Sequence, residues 1–168
     1  MRKITILGKG NGWKDAPNED ILWGVNDVWK RRDVDVVFNM HTYQSNKEIF
    51  KSSVEYVNKY QKPFVTLKEI KDVPTSIRFP IEEMHTHYFT NSIAYMIAYA
   101  LYRGVEEINI YGCGLDRASK YAKQKHNIEY WVGYARGCGI NVVLHGKTEL
   151  LAVENGEMYG YNERQTKF

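Results

Sequence analysis

Several short polar stretches of this chain carry residue types that hold anions and nucleotides. Gly8-Lys9-Gly10-Asn11-Gly12 stands directly behind an apolar run, and glycines there let backbone N–H groups approach a phosphate closely. Asn26 and Asn39 each follow an apolar run of their own. An asparagine amide both donates and accepts, as a nucleobase or a ribose requires. Thr90-Asn91-Ser92 opens a segment of helical period, and Gly112-Cys113-Gly114 closes the apolar run after it. Polar helix starts and glycine turns after strands are both places where open α/β folds bind phosphates and nucleotides.

Each stretch also has a plainer reading. The first loop is G-x-G-x-G, without the third glycine of the dinucleotide fingerprint and without the Lys-Ser/Thr of a P-loop, so a tight turn fits it too. Asparagine favours turns wherever they fall. Repetition tips the balance. Three successive strand ends, at Gly8 to Asn11, Asn26 and Asn39, carry such a residue, and in a parallel sheet those ends share one edge, where the ligand crevice lies.

The elements that must position these groups are legible in outline. Strands are expected at Lys3–Leu7, Asp20–Gly24, Asp35–Phe38, Phe64–Leu67, Glu107–Tyr111 and Ile140–Leu144. Helices are expected over Ser45–Tyr60, with Ile49, Phe50, Val54 and Val57 inward, and over Ser119–Arg136, with Tyr121, Gln124, Ile128, Trp131, Val132 and Ala135 on one face. Between them, Asn91 or Ser92 caps a helix whose Ile93, Met96, Ile97, Ala100 and Leu101 recur at spacings of three and four, and Gly104 stops it. Pro74–Glu83 holds two prolines and no period, and reads as a loop with room for a short strand. Strand–helix alternation predicts one α/β, Rossmann-like domain over 1–153, with a mainly parallel sheet of about five or six strands and helices on both faces. Residues 154–168 read as a polar tail packed on it.

The 168 residues suffice for one core, and the composition is that of an ordinary soluble protein, except for its 13 tyrosines, which point to polar-tipped aromatic surfaces. A net charge of +3, spread along the chain, argues against a nucleic-acid groove but tolerates a phosphate-bearing small ligand. Two cysteines without a C-x-x-C pair, no export signal and no apolar run approaching roughly 18 residues predict a cytoplasmic protein with free thiols and no membrane partner. His85-Thr86-His87 lacks a carboxylate or cysteine at a supporting spacing, so no metal site is expected, and the two histidines are placed near a ligand mouth.

The central run F-T-N-S-I-A-Y-M-I-A-Y-A-L-Y-R-G-V-E-E-I-N-I-Y-G resembles the nucleotide-site segment of bacterial CMP-sialic-acid-dependent sialyltransferases. It also resembles that of the related Maf/DUF115 group, which includes a hydroxymethylpterin pyrophosphokinase. Over nearly its whole length the chain is similar to a family of short proteins of tailed bacteriophages and prophages, through P-x-S-I-R-F-P-I-E-E, Y-F-T-x-S-I-A-Y-M-I-A, the block from Tyr121 to Val143 and Tyr159-Gly160-Tyr161.

The resemblance implies that Gly8, Gly10 and Asn11 meet the nucleotide, and that Asn26 and Asn39 contact its ribose and phosphate. It also places Thr90, Asn91 and Ser92 at the CMP-binding helix start, Gly112 at the following strand end, and Tyr121 on a phosphate. The acid that ends that strand in sialyltransferases falls on Gly114 here, with Asp116 two residues later. The lid bearing the catalytic histidine has no clear counterpart, and His126 is the nearest by order. If both were helical, Tyr121 and His126 would diverge by roughly 140° around the axis. Tyr121 is therefore expected to reach the phosphate from the loop or first turn, and His126 to point elsewhere.

Two functions stay open at this stage, so whether the chain is an enzyme does too. One is a transferase-like enzyme using a nucleotide or nucleotide-sugar donor, by glycosyl or pyrophosphoryl transfer, with a CMP-type ligand first and no further cofactor. The other is a phage-encoded binder, or cleaver, of a nucleotide signal of host anti-phage defence, working in the host cytoplasm. Homo-oligomerisation is left open.

Overall fold

The computed structural model describes residues 2–42, 47–114 and 122–152, and every structural statement below concerns these. Seven strands form a single sheet: β1 (Lys3–Leu7), β2 (Leu22–Val25), β3 (Val36–Asn39), β4 (Phe64–Thr66), β5 (Ser76–Arg78), β6 (Glu107–Tyr111) and β7 (Asn141–Leu144). Their order is β5-β4-β3-β2-β1-β6-β7, and every pairing is parallel. Hence all strand C-termini share one edge. The chain builds outward from β1 to β5 and then returns to lay β6 on the other side of β1. The β1/β6 junction is therefore the topological switch point, beside which open parallel sheets bind ligands.

Neighbouring residues of a strand face opposite sides of the sheet, and here both sides are buried. Ile4, Ile6, Trp23, Val25, Phe38, Val65, Ile108 and Ile110 face helices α2 (Ser92–Tyr102) and α3 (Lys125–Gly137). Leu7, Leu22, Val37, Phe64 and Tyr111 belong to a second cluster with Tyr56 and Val57 of α1 (Lys47–Tyr60). Burial on both faces explains the nearly continuous apolar runs of the central strands. Each large side chain such as Trp131 or Phe38, both fully buried, contributes about 1.5–3 kcal/mol by leaving water.

The sheet has one strand more than the sequence predicts. β5 lies at the sheet edge with Ile77 and Arg78 exposed, so no apolar alternation marks it. Helix α2 is apolar beyond the expected stripe: Ala94, Ala98 and Tyr99 are buried as well, because it lies between the sheet and α3. In α1, Ser53 and Tyr56 are buried while Ile49, Phe50 and Val54 are half-buried. Tyr56 can go inside because its hydroxyl donates to Asp33 and its ring stacks on Trp29 at 4.3 Å. Helix α3 starts at Lys125, after a 3-10 turn over Ala122–Gln124, rather than at Ser119. Cys113 is buried, Cys138 is exposed, and both are free thiols. No helix among the described residues is long and apolar enough to cross a membrane. The tail from 154 onward lies outside the described residues.

Candidate functional site

At the switch point two glycine loops cross backbone to backbone. The Gly8 N–H donates to Tyr111 O at 2.8 Å and the Gly10 N–H to Gly112 O at 2.7 Å. A Cβ on Gly8 would stand 2.4 Å from Gly112 O, and one on Gly10 2.7 Å from it. A Cβ on Gly112, at φ +69°, would stand 2.7 Å from Gly8 O. No other residue type fits such an approach. The loops are fastened further by Thr148, whose hydroxyl donates to Cys113 O at 2.7 Å, and by the Glu149 N–H on Gly114 O at 3.0 Å. The amides of Gly8 and Gly10 are thus committed within the protein, and Lys9 and Asn11 are the exposed side chains of this loop.

Next to this crossing, His145 follows β7. Its Nε2 lies 2.5 Å from Asn109 Oδ1 and its ring stacks on Tyr111 at 4.1 Å. Burial and then the charge of Lys3 pull its pKa down, against the carboxylates of Asp20 and Glu107.

The ends of β2 and β3 are built differently. Asn26 sits at φ +52°, its N–H donates to Phe38 O at 2.7 Å, and its side-chain Oδ1 is buried without a partner among the described residues. Asn39 is fully buried. Its Oδ1 accepts from the His41 N–H at 3.1 Å, and its Nδ2 has no partner among the described residues. Because Val25 pairs with Phe38, the two amides follow adjacent strand ends, one with a spare acceptor and the other with a spare donor. Buried polar groups are nearly always satisfied, and leaving one unmet costs about 1–3 kcal/mol. Two other buried orphans, Asn58 Oδ1 and Thr75 Oγ1, lie elsewhere, late in α1 and just before β5.

The start of α2 is fixed by side chains. Asn91 is the N-cap, its Oδ1 accepting the Ala94 N–H at 2.9 Å. Its Nδ2 reaches Asn127 Oδ1 at 3.1 Å and Gln124 O at 3.5 Å. The buried Asn127 also accepts the Thr90 N–H at 2.9 Å and donates to Tyr88 O at 2.9 Å, where the Trp131 indole N–H adds a bond of 2.8 Å. Residues 88–91 are thereby riveted to α3. Thr90 is exposed, and Ser92 is the half-buried first residue of the helix. Asn127 is absent from the expected site, although a polar residue four before Trp131 and eight before Ala135, on the buried face, is a readable signal for such a rivet.

Other expected residues fall as follows. His126 is exposed at the start of α3, and Asp116 and Tyr121 lie outside the described residues. His85 is not at a strand end. Its ring stacks on Tyr134 at 3.8 Å and lies within 3.1 Å of the Tyr130 hydroxyl, on the outer face of α3. Among the described residues no group of three His, Cys, Asp or Glu gathers to hold a metal.

Two shallow surface concavities lie away from this edge. One, of about 420 Å³, is on the β4–β5 connection around Ile70 and Val73. The other, of about 610 Å³, lies among Trp29, Asp33, Tyr56, Tyr60 and Lys62. Orphan atoms border the first concavity too, Thr75 directly after Pro74 and Asn58 bonded to Asp72 O, so the strand-end edge is preferred for its place at the strand C-termini beside the topological switch point.

No protein-family model and no characterised protein matches the sequence. Solved structures do match. Sialyltransferase CstII from Campylobacter jejuni with cytidine-5'-monophosphate superposes with a TM-score of 0.55 at 14% identity, over 86% of this chain and 79% of that one. The same enzyme with CMP-3FNeuAc gives 0.57 at 14% identity, over 86% and 80%. Sialyltransferase CST-II with a trisaccharide acceptor and CMP gives 0.57 at 14% identity, over 85% and 80%. At such identity the likeness is one of fold.

Proposed function

We propose that the chain binds a nucleotide at the C-terminal edge of β2 and β3 and acts as a transferase on a nucleotide or nucleotide-sugar donor. The observation that carries this reading is the pair of buried, complementary orphan atoms, Asn26 Oδ1 and Asn39 Nδ2. A base edge or ribose hydroxyl would satisfy both, converting a standing cost into binding energy. Helix α2, capped by Asn91, presents its N-terminus at the same edge, where a leaving phosphate gains from the helix dipole. The structures of like fold hold CMP, a CMP-sugar analogue and a trisaccharide acceptor.

In such a transfer the donor's bond to phosphate breaks, an acceptor hydroxyl forms the new bond, and a base takes its proton. Tyr121 is proposed for the phosphate and Asp116 for a catalytic role in place of the strand-end acid, while the exposed His126 is not assigned as the base. Thermal unfolding with and without millimolar nucleotide tests the reading, because a ligand of the native state alone stabilises it by RT ln(1 + [L]/Kd), about 2.7 kcal/mol at a hundredfold excess over Kd. Cytidine nucleotides come first, then adenine and guanine nucleotides and cyclic dinucleotides. Asn39→Ala is expected to abolish most of the shift and leave the unliganded midpoint nearly in place. No shift with any of them sinks the proposal. A shift without release of CMP from a CMP-sugar in the presence of acceptor reduces it to a non-catalytic binder.

A further inference from the structure

We propose that Lys9 selects the ligand of this site by its phosphate charge, and that Asp27 is an internal competitor that occupies Lys9 until the phosphate arrives. This rests on the nucleotide reading above and adds to it a charge-selecting residue outside the orphan amides.

Lys9 lies between Gly8 and Gly10, whose amides tie the loop to Tyr111 and Gly112, so its backbone is anchored while its side chain is exposed. Arg31 fixes it from the other side, NH1 donating to Lys9 O at 2.7 Å. The Lys9 ammonium reaches across from the end of β1 to the end of β2, where it meets Asp27 Oδ1 at 2.5 Å. Asp27 is the residue directly after Asn26, the holder of the orphan acceptor. A cation is therefore held over the rim of the proposed base–ribose pocket by a carboxylate that any incoming anion can replace.

The charge balance favours that exchange. Lys30 stands 3.9 Å from Asp27 Oδ2, so two ammonium groups, of Lys9 and Lys30, face one carboxylate, and Arg31 adds a further cation at the Lys9 carbonyl. Burial opposes ionisation of Asp27, but the hydrogen bond and charge of Lys9, with the charge of Lys30, hold its carboxyl below the ordinary range. It is thus ionised at neutral pH. Lys9 keeps contact with solvent at 37% side-chain exposure, against 18% for Asp27, and Lys30 stays beside Asp27 when a phosphate takes the Lys9 ammonium. A phosphate oxygen on an ammonium is in turn a charge-assisted bond of the stronger kind.

Isothermal titration of cytidine, CMP and CDP into the wild type, Lys9→Met, Lys9→Arg and Asp27→Asn tests this, with adenosine and guanosine series used where the cytidine series is silent. Lys9 is exposed, Asp27 is partly buried and Asp27→Asn keeps its shape, and the unfolding midpoint checks that each variant is folded. The wild type is expected to bind the monophosphate at least tenfold more tightly than the nucleoside. Lys9→Met removes most of that preference without touching nucleoside affinity, and Lys9→Arg restores it. Asp27→Asn tightens the nucleotides several-fold and leaves the nucleoside unchanged. Equal affinity for nucleoside and nucleotide, or a preference that survives Lys9→Met, overturns the inference and leaves the nucleotide reading standing. Weaker nucleoside binding in Asp27→Asn makes Asp27 a sugar ligand and overturns its role as competitor. Silence of every series overturns both readings together.

Discussion

The two halves of the strand-end edge use the same kind of sequence for opposite purposes. At β1 and β6 the backbone is closed: Gly8, Gly10 and Gly112 pack loop on loop, with the Gly8 and Gly10 N–H groups donating to Tyr111 O and Gly112 O. At β2 and β3 polar groups are left unmet: Asn26 and Asn39 bury an acceptor and a donor without partners among the described residues. The closed half fixes the positions of the loops, and the open half keeps the capacity to bind. Glycines at a switch point here make room for a second backbone, and the unmet amides lie on the neighbouring strand ends.

Breaking the closed half is expected to have the largest effect. Gly8→Ala puts a methyl 2.4 Å from Gly112 O and should lower the free energy of unfolding by about 2–3 kcal/mol, as overpacking and backbone strain do, read from the midpoint in urea. Asn127→Ala comes next. It removes the rivet between the Thr90 N–H, the Asn91 amide and Tyr88 O, and should cost about 1–3 kcal/mol, with hydrogen exchange at residues 88–92 rising first. In the open half, Asn26→Gly sharpens the contrast. The φ of +52° suits glycine, so stability should stay within about 0.5 kcal/mol while nucleotide affinity falls roughly tenfold. A stability loss like that of Gly8→Ala would show Asn26 to be a structural residue.

The smallest effect is one of pH, confined to the closed half. His145 has its folded pKa lowered, with Lys3 on β1, Asp20 in the loop before β2, and Glu107 and Tyr111 on β6 around it. Its unfolded value is about 6.5, so between the two values the unfolded chain binds more protons than the folded one. The contribution is complete above that value and is lost as pH falls through the folded pKa. Stability should therefore begin to decline below about pH 6.5, and His145→Gln should remove that part of the slope. The separate acid limb of Asp20, Asp27 and Asp33, whose folded pKa values are also lowered, should persist.

The sequence by itself determined whatever depends on near neighbours. Alternation and β-branched runs located β1 and β6 to the residue, and the three–four spacing behind Asn91-Ser92 located α2, with Gly104 at φ +63° as its stop, while the structure chose Asn91 as the cap. Strand–helix order gave a parallel sheet, and hence one edge for Asn26 and Asn39. Tertiary structure decided what depends on residues far apart in the chain. The edge strand β5 has no buried alternation of its own and exists because β4 offers it a partner. Asn127 became a rivet only when α3 came to lie beside residues 88–91, more than thirty-five positions earlier. The glycines of the first loop look the same whether they cradle a phosphate or make room for another backbone. That they make room for another backbone was decided by the return of the chain from β5 to β6, which brought Gly112 O into the space where side chains on Gly8 and Gly10 would have been.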